Sequence, residues 1–368
     1  MPYNDPISRI LTKKSDISHT QLDIQTALTS LKEGEVLLKI KRLALTTNNI
    51  TYAAFGDTLQ YWQFFPTNVE GWGHMPAWGF ADVVQSTVPN LTVGERFYGF
   101  FPISSHLHMM PVRVTNRGFY DGSAHRQSLN SAYNQYTRCS TDTAYELALE
   151  NLQMLIRPLF LTSFMLADFL QDNAFFGATR IVISSASSKT ASSTAFCLQG
   201  NASIQVVGMT SEGNHNFVKR LGCYQEVFTY SQLEQQPNNE KTLYIDFSGE
   251  IALRQRVHEH YGDALVYDCF AGSTQNTVFL ADTDLPGPKP VFYFAPVQIR
   301  KRNSDWGAAV VNQRFNDAQL QFIDHLSQPD QEWIKVINHI GLSAAPDVIQ
   351  KLVEGHIDPN QGHVVLVD

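Results

Sequence analysis

Ile181-Val182-Ile183-Ser184-Ser185-Ala186-Ser187-Ser188-Lys189-Thr190-Ala191 lies mid-chain, where a buried β-branched strand should turn into a helix. Junctions of that kind are where doubly wound sheets hold a dinucleotide. The usual fingerprint there, G-x-G-x-x-G, lets backbone come close to a pyrophosphate, whereas serines, alanines and one lysine hold those positions in this chain. Two readings stay open. A helix starting near Lys189 or Thr190 offers first-turn N–H groups and the positive end of its dipole to a phosphate, with serine hydroxyls and the Lys189 ammonium standing in for the close backbone approach that glycine allows. Alternatively, a Cβ where glycine was needed blocks the pyrophosphate and leaves only a capped helix. Ser188-Lys189-Thr190 also ends like a P-loop, but the leading G-x-x-x-x-G is missing.

Outward from this turn, residues 178–296 alternate strands and helices in the rhythm of a parallel sheet. Strands are expected at Arg180–Ser184, Ile204–Met209, Glu226–Tyr230, Thr242–Phe247, Ala264–Cys269 and Pro290–Phe294. Helices are expected at Thr190–Leu198, Asn214–Leu221, closed by Gly222, and Ile251–Tyr261. Six strands with crossovers make a Rossmann-type α/β domain, a doubly wound parallel sheet. Before it, residues 1 to about 150 read as short strands and loops, and from about 151 Leu155, Leu159, Leu166, Phe169 and Leu170 recur at helical spacing. The tail reads as helices at Asp317–Leu326, Asp330–Ile340 and Ala345–Glu354 and a last strand at Gly362–Val367. A β front, a Rossmann middle and a tail ending in a strand suggest a discontinuous front domain, 1–150 plus 297–368, around a middle domain, 151–296.

Four segments carry a family resemblance. Leu31 to Ile40 looks like an opening "pGEVLVkV" strand, and Thr46-Thr47-Asn48-Asn49 through Gly56 is similar to an "N-x-x-D…G" cleft segment. Ala77 to Val84 with Leu91 to Gly99 resembles "aGvVvevG…f.vGDrVyg", and Lys351 to Pro359 looks like "l..GkikP" before a last strand. In that order they resemble the medium-chain dehydrogenase/reductase superfamily, in its zinc-free quinone-reductase-like and enoyl-reductase-like branch. The resemblance covers most of the chain and implies a mostly β GroES-like domain beside the Rossmann domain.

Composition limits the alternatives. The chain has 368 residues, 43% hydrophobic and 17% charged, as ordinary globular proteins do. A formal charge of -8 argues against nucleic acid as partner. Cys139, Cys197, Cys223 and Cys269 lie far apart, which suggests neither a disulfide framework nor a thiolate zinc site and fits a reducing cytoplasm. No secretory signal opens the chain, and the apolar run Pro158–Leu166, stopped by Asp168, is too short to span a bilayer.

The resemblance implies a zinc-independent oxidoreductase that passes hydride from NADP(H) to a quinone or α,β-unsaturated carbonyl, a small-molecule substrate. Ser185, Ser187, Ser188, Lys189 and Thr190 would hold the pyrophosphate. At the tip of the second Rossmann strand there is no immediate carboxylate, so Ser211 and Asn214 would favour the 2′-phosphate of NADP(H) over NAD(H). Asn48 and Asn49 would meet the nicotinamide carboxamide, and Tyr52 or Lys301 the substrate oxygen, Tyr52 as proton donor to a developing enolate. Tyr133 and Arg302 would shape the substrate pocket. Gly73-His74-Met75-Pro76-Ala77-Trp78-Gly79 lacks the glutamate of the zinc relatives' G-H-E-x-x-G, so no metal is expected. Relatives dimerise through the edge of the Rossmann sheet, which places Pro290–Phe294 at such a homodimer interface. The rival expectation is a non-catalytic Rossmann relative, a nucleotide-sensing or partner-binding protein, favoured by the serine-for-glycine changes.

Overall fold

The computed structural model describes residues 5–26, 30–272, 285–328 and 333–367. The chain forms two compact units, Met1–Leu155 with Ile334–Asp368, and Ile156–Trp333. Residues 297–333, expected with the tail, therefore belong to the second unit. The cause is packing within that unit. In the helix Ala308–Leu326, Phe315 and Phe322 meet Phe160 at 6.1 and 5.0 Å between ring centroids, and in the helix Ala295–Asp305, Arg302 pairs with Asp168 at 2.6 Å.

The second unit is built on six strands, Arg180–Ile183, Gln205–Thr210, Glu226–Thr229, Thr242–Asp246, Leu265–Phe270 and Val291–Phe292. Every pairing is parallel, and in space they run third, second, first, fourth, fifth, sixth. That order reverses direction beside the first strand, which opens a crevice at the carboxyl ends of the strands there. Ile181, Val182 and Ile183 are fully buried, as a strand covered on both faces requires. Val182, Val207, Met209, Tyr244 and Val257 share one core cluster. Gly222, at φ +65, ends the helix His215–Arg220 in the left-handed conformation that glycine adopts without strain.

The first unit is mostly β. One sheet runs from the strand Lys335–Ile340 through Gln361–Leu366, Val36–Leu45, Pro76–Ser86 and Arg96–Pro102 to Gln135–Arg138, Gly118–Asp121 and Pro111–Thr115. The C-terminal strand Gln361–Leu366 lies antiparallel to Val36–Leu45, so the tail does rejoin the front. The fold class is thus the expected one, α/β with a doubly wound parallel sheet and a mostly β unit.

Two expectations are corrected. The helix expected over Asp330–Ile340 is, in its described part, the strand Lys335–Ile340, paired in parallel with Gln361–Leu366. Val336, Ile337 and Ile340 are β-branched and suit a sheet once a partner strand is present. The apolar run at Pro158–Leu166 is part of a longer helix, Glu150–Asp172, and by length and composition Leu147–Asp172 is long enough to cross a membrane. More than half of its most apolar 18-residue window is buried inside the protein, as in a core helix. Its first turn carries the fully buried Glu150, paired with Arg42 at 3.1 Å and Arg96 at 2.9 Å.

Candidate functional site

In the second unit the serine turn is held from several sides. Ser184, fully buried at the end of the first strand, donates its hydroxyl to Asp246 Oδ1 at 3.0 Å and accepts the Phe247 N–H at 2.9 Å, locking the first strand's end to the fourth's. Ser185 then adopts φ +49, the left-handed region that the fingerprint glycine would supply. The turn closes with Ser188 N–H donating to Ser185 O at 2.8 Å, and Ala186 N–H donating to Met209 O at 3.1 Å ties it to the second strand. Gly208 allows that approach, since a Cβ there would stand 3.0 Å from Ala186 Cβ. Ser188 is the N-cap of the helix Lys189–Leu198, accepting the Ala191 N–H at 3.2 Å.

Ser185, Ser187, Ser188, Lys189, Thr190 and Asn214 are brought together here. Asn214 Nδ2 donates to Ser187 Oγ at 3.2 Å, and Thr190 stands in the first helical turn, where N–H groups have no intrahelical acceptor. Lys189 is half-buried, and burial pushes its ammonium down to about 8. Ser211 is exposed and opens the short turn Glu212–Asn214, its carbonyl accepting the Asn214 N–H at 3.1 Å. Tyr230 was not expected here. Its hydroxyl accepts the Ser185 N–H at 3.2 Å, and the signal that could have found it is its place immediately after the third strand, facing the same crevice. Tyr224 adds a second clamp, donating its hydroxyl to Ala186 O at 2.9 Å.

In the first unit Tyr52 and Tyr133 meet in an aromatic box. Tyr52 lies on the helix Thr47–Ala54, with ring contacts to Tyr61, Phe100 and Tyr133 at 4.7, 5.3 and 6.1 Å. Trp78 Nε1 donates to the Tyr52 hydroxyl at 3.1 Å, and Asn48 stands one helical turn before Tyr52 on the same helix face. The hydroxyls of Tyr61 and Tyr133 are 2.9 Å apart. Phe64, Phe65 and Leu129 complete the cluster. Burial drives all three phenols well above their ordinary range, so they stay protonated and act as hydrogen-bond donors. Asn49 is instead occupied by the fold. Its Oδ1 accepts the Thr46 N–H at 2.6 Å and its Nδ2 donates to Pro76 O at 2.7 Å, seating the helix on the next strand.

Lys301 and Arg302 are not at a strand end, because the sixth strand stops at Phe292 and both residues lie on the helix Ala295–Asp305. Lys301 is paired with Asp172 and Asp305, each at 2.9 Å. Arg302 pairs with Asp168, Asp172 and Asp305 at 2.6, 2.9 and 3.0 Å and covers Trp306. Three carboxylates surround these two cations, where the expectation had Lys301 at the substrate oxygen and Arg302 at the substrate pocket. His74 donates Nδ1–H to Phe65 O at 2.9 Å, and burial pushes it down to about 4. His258 faces Asp268 and Pro286 O, while His260 faces Gln236 O. Among the described residues no group of three His, Cys, Asp or Glu side chains is arranged to hold a metal ion.

This architecture recurs in solved structures. CurA from Vibrio vulnificus in complex with NADPH superposes at TM-score 0.62 with 14% identity, covering 98% of this chain and 99% of that one. The yhdH oxidoreductase from Salmonella enterica in complex with NADP gives 0.55 at 14% identity over 98% and 100%. The quinone oxidoreductase from Coxiella burnetii gives 0.52 at 14% over 99% and 100%. Comparison with curated proteins finds no match. The chain shares the fold of these oxidoreductase structures, the fold that the four sequence segments implied. Residues 43–358 match the family described as "Protein of unknown function (DUF2855)", and the chain belongs to that family.

Proposed function

We propose that this protein is a zinc-independent, NADP(H)-dependent oxidoreductase that reduces a quinone or an α,β-unsaturated carbonyl. The observation that carries the reading is Ser185, a non-glycine residue kept at φ +49 in the turn after the first strand. A left-handed serine costs roughly 1–2 kcal/mol, and such strain persists where the surrounding structure enforces it, here through Tyr230, Tyr224 and Ser184. In this reading the turn keeps, with serine in place of glycine, the left-handed bend of the dinucleotide fingerprint. Likeness to structures holding NADPH or NADP supports the choice of coenzyme.

In this reading the first-turn N–H groups of Lys189–Leu198, the hydroxyls of Ser187 and Ser188 and the Lys189 ammonium bind the diphosphate. Ser211 and Asn214 take the 2′-phosphate. When bound, the coenzyme supplies the hydride. The box of Tyr52, Tyr61 and Tyr133 excludes water from the acceptor and offers phenolic O–H groups as hydrogen-bond donors to its oxygen, with Trp78 fixing the Tyr52 hydroxyl. A homodimer through the edge strand Val291–Phe292, whose Val291 is 44% exposed, fits the same reading.

A second reading is favoured by one observation. Tyr230 and Asn214 already bond Ser185 and Ser187, so side chains of the protein occupy part of the turn. That suits a non-catalytic relative that senses a nucleotide or binds a partner. Acceptor-dependent oxidation of NADPH with 1,4-naphthoquinone separates the two: turnover that falls at least tenfold in Tyr52→Phe is expected, and NADPH binding without any turnover across quinones and enones overturns the enzyme reading.

A further inference from the structure

We propose that Arg126 is the positioning residue of the tyrosine box: from inside the loop Asp121–Tyr136 it fixes where Tyr133, and through it Tyr61, hold their hydroxyls. The proposal rests on the reading of the box as the acceptor site. Tyr133 stands on a single 3-10 turn, Ser131–Tyr133, an element with little stability of its own. Arg126 Nη2 donates to Tyr133 O at 2.9 Å and gives that turn an anchor.

Arg126 is 1% exposed, and its two terminal nitrogens take partners while Nε has none. Asp121 Oδ2 accepts from Nη1 at 2.8 Å, and the Tyr136 hydroxyl lies 3.1 Å from the same nitrogen. The guanidinium carbon stands 5.2 and 4.9 Å from the ring centres of Phe64 and Phe65, two walls of the box. The circuit closes through the backbone: Asn134 Nδ2 donates to Arg126 O at 2.9 Å, and Asp121 N–H donates to Asn134 O at 2.9 Å. One cation therefore touches the box walls, the loop that carries Tyr133, and Tyr136, whose hydroxyl donates to Phe100 O at 2.6 Å beneath the Tyr133 ring.

The test uses the full chain, with 1,4-naphthoquinone as probe and quenching of tryptophan fluorescence as readout, Trp78 being 5.9 Å from Tyr133. Wild type comes first: absence of saturable quenching overturns the reading of the box, and the proposal with it. Given quenching, the double variant Asp121→Asn/Arg126→Met removes both buried charges together, which avoids stranding one ion. Its expected melting temperature is close to wild type while naphthoquinone affinity falls about tenfold, a separation that a purely structural residue does not give. Arg126→Lys keeps the charge but loses the fork and falls between. A folded double variant with wild-type affinity overturns the role of Arg126 and leaves the box reading standing. Should the double variant not fold, Arg126→Lys decides: a severalfold loss at unchanged melting temperature supports the proposal, and unchanged affinity overturns it.

Discussion

The backbone N–H of Ser185 donates to the phenolic oxygen of Tyr230 at 3.2 Å, so a side chain from just beyond the third strand caps the turn that follows the first. That bond and the positive φ of Ser185 describe a turn whose shape is kept by its neighbours instead of by glycine.

Ser185→Gly follows directly. Glycine relieves the left-handed backbone, a gain of roughly 1–2 kcal/mol offset in part by its extra freedom in the unfolded chain. The variant should be more stable by about 1 kcal/mol in urea unfolding, and NADPH affinity should be equal or tighter. Lower stability would mean that the Ser185 hydroxyl does more than the backbone suggests.

A second strained turn offers a control away from the site. Ala174, Phe175 and Phe176 have φ of +46, +52 and +53, followed by Gly177 at +78. Phe175 is buried and Phe176 stacks on Tyr267 at 3.8 Å, so packing holds the turn, while Ala174 is exposed and packs on little. Ala174→Gly should therefore stabilise by about 1 kcal/mol, and Gly177→Ala should destabilise, both read from the urea midpoint.

Much of the second unit was legible in the sequence because its strands are short, β-branched and fully buried, and because Gly222 marks a helix end. The strand Lys335–Ile340 was not, since a strand that lies beside Gln361–Leu366 owes its state to that partner and not to its own periodicity. In the site, the serine turn could be located but its clamps could not: Tyr230 and Tyr224 reach it from positions whose side-chain direction only the folded sheet sets. Tyr52 and Tyr133 were each identifiable as polar aromatics, yet nothing in their spacing, 81 residues apart, announces that they share a box. The ion pairs of Lys301 and Arg302 were not legible either, because Asp168 and Asp172 lie 129 or more residues earlier and meet them only in the fold.

Acid should destabilise the protein through buried neutral histidines. Burial pushes His74 and His106 from 6.5 down to about 4, and burial with nearby Lys351 lowers His339. With folded values below the unfolded one, the unfolded chain takes up protons first, so stability is full above about pH 6.5 and falls as pH drops toward 4. His74 alone should account for about 2 kcal/mol between pH 7 and 5, because its buried Nε2 has no hydrogen-bond partner to receive the added proton. Urea midpoints measured across that range check this, and His74→Gln should flatten the slope.

Glu150 should be the most sensitive charge in the first unit. It is fully buried between Arg42 and Arg96 and accepts the Tyr145 hydroxyl at 2.7 Å. Glu150→Ala takes the carboxylate from Arg42 while Arg96 keeps Asp82 at 2.7 Å, and should cost about 2–3 kcal/mol by thermal or urea unfolding; a loss below about 1 kcal/mol would show the network to be solvated.

The central claim is that a turn without the fingerprint glycines still binds a dinucleotide. Titration calorimetry of NADPH into the wild-type protein, repeated with Lys189→Ala, tests it most directly. Saturable one-site binding, tighter than for NADH and weakened about tenfold or more by the substitution, is the predicted result. Absence of binding by either coenzyme at millimolar concentration would contradict it.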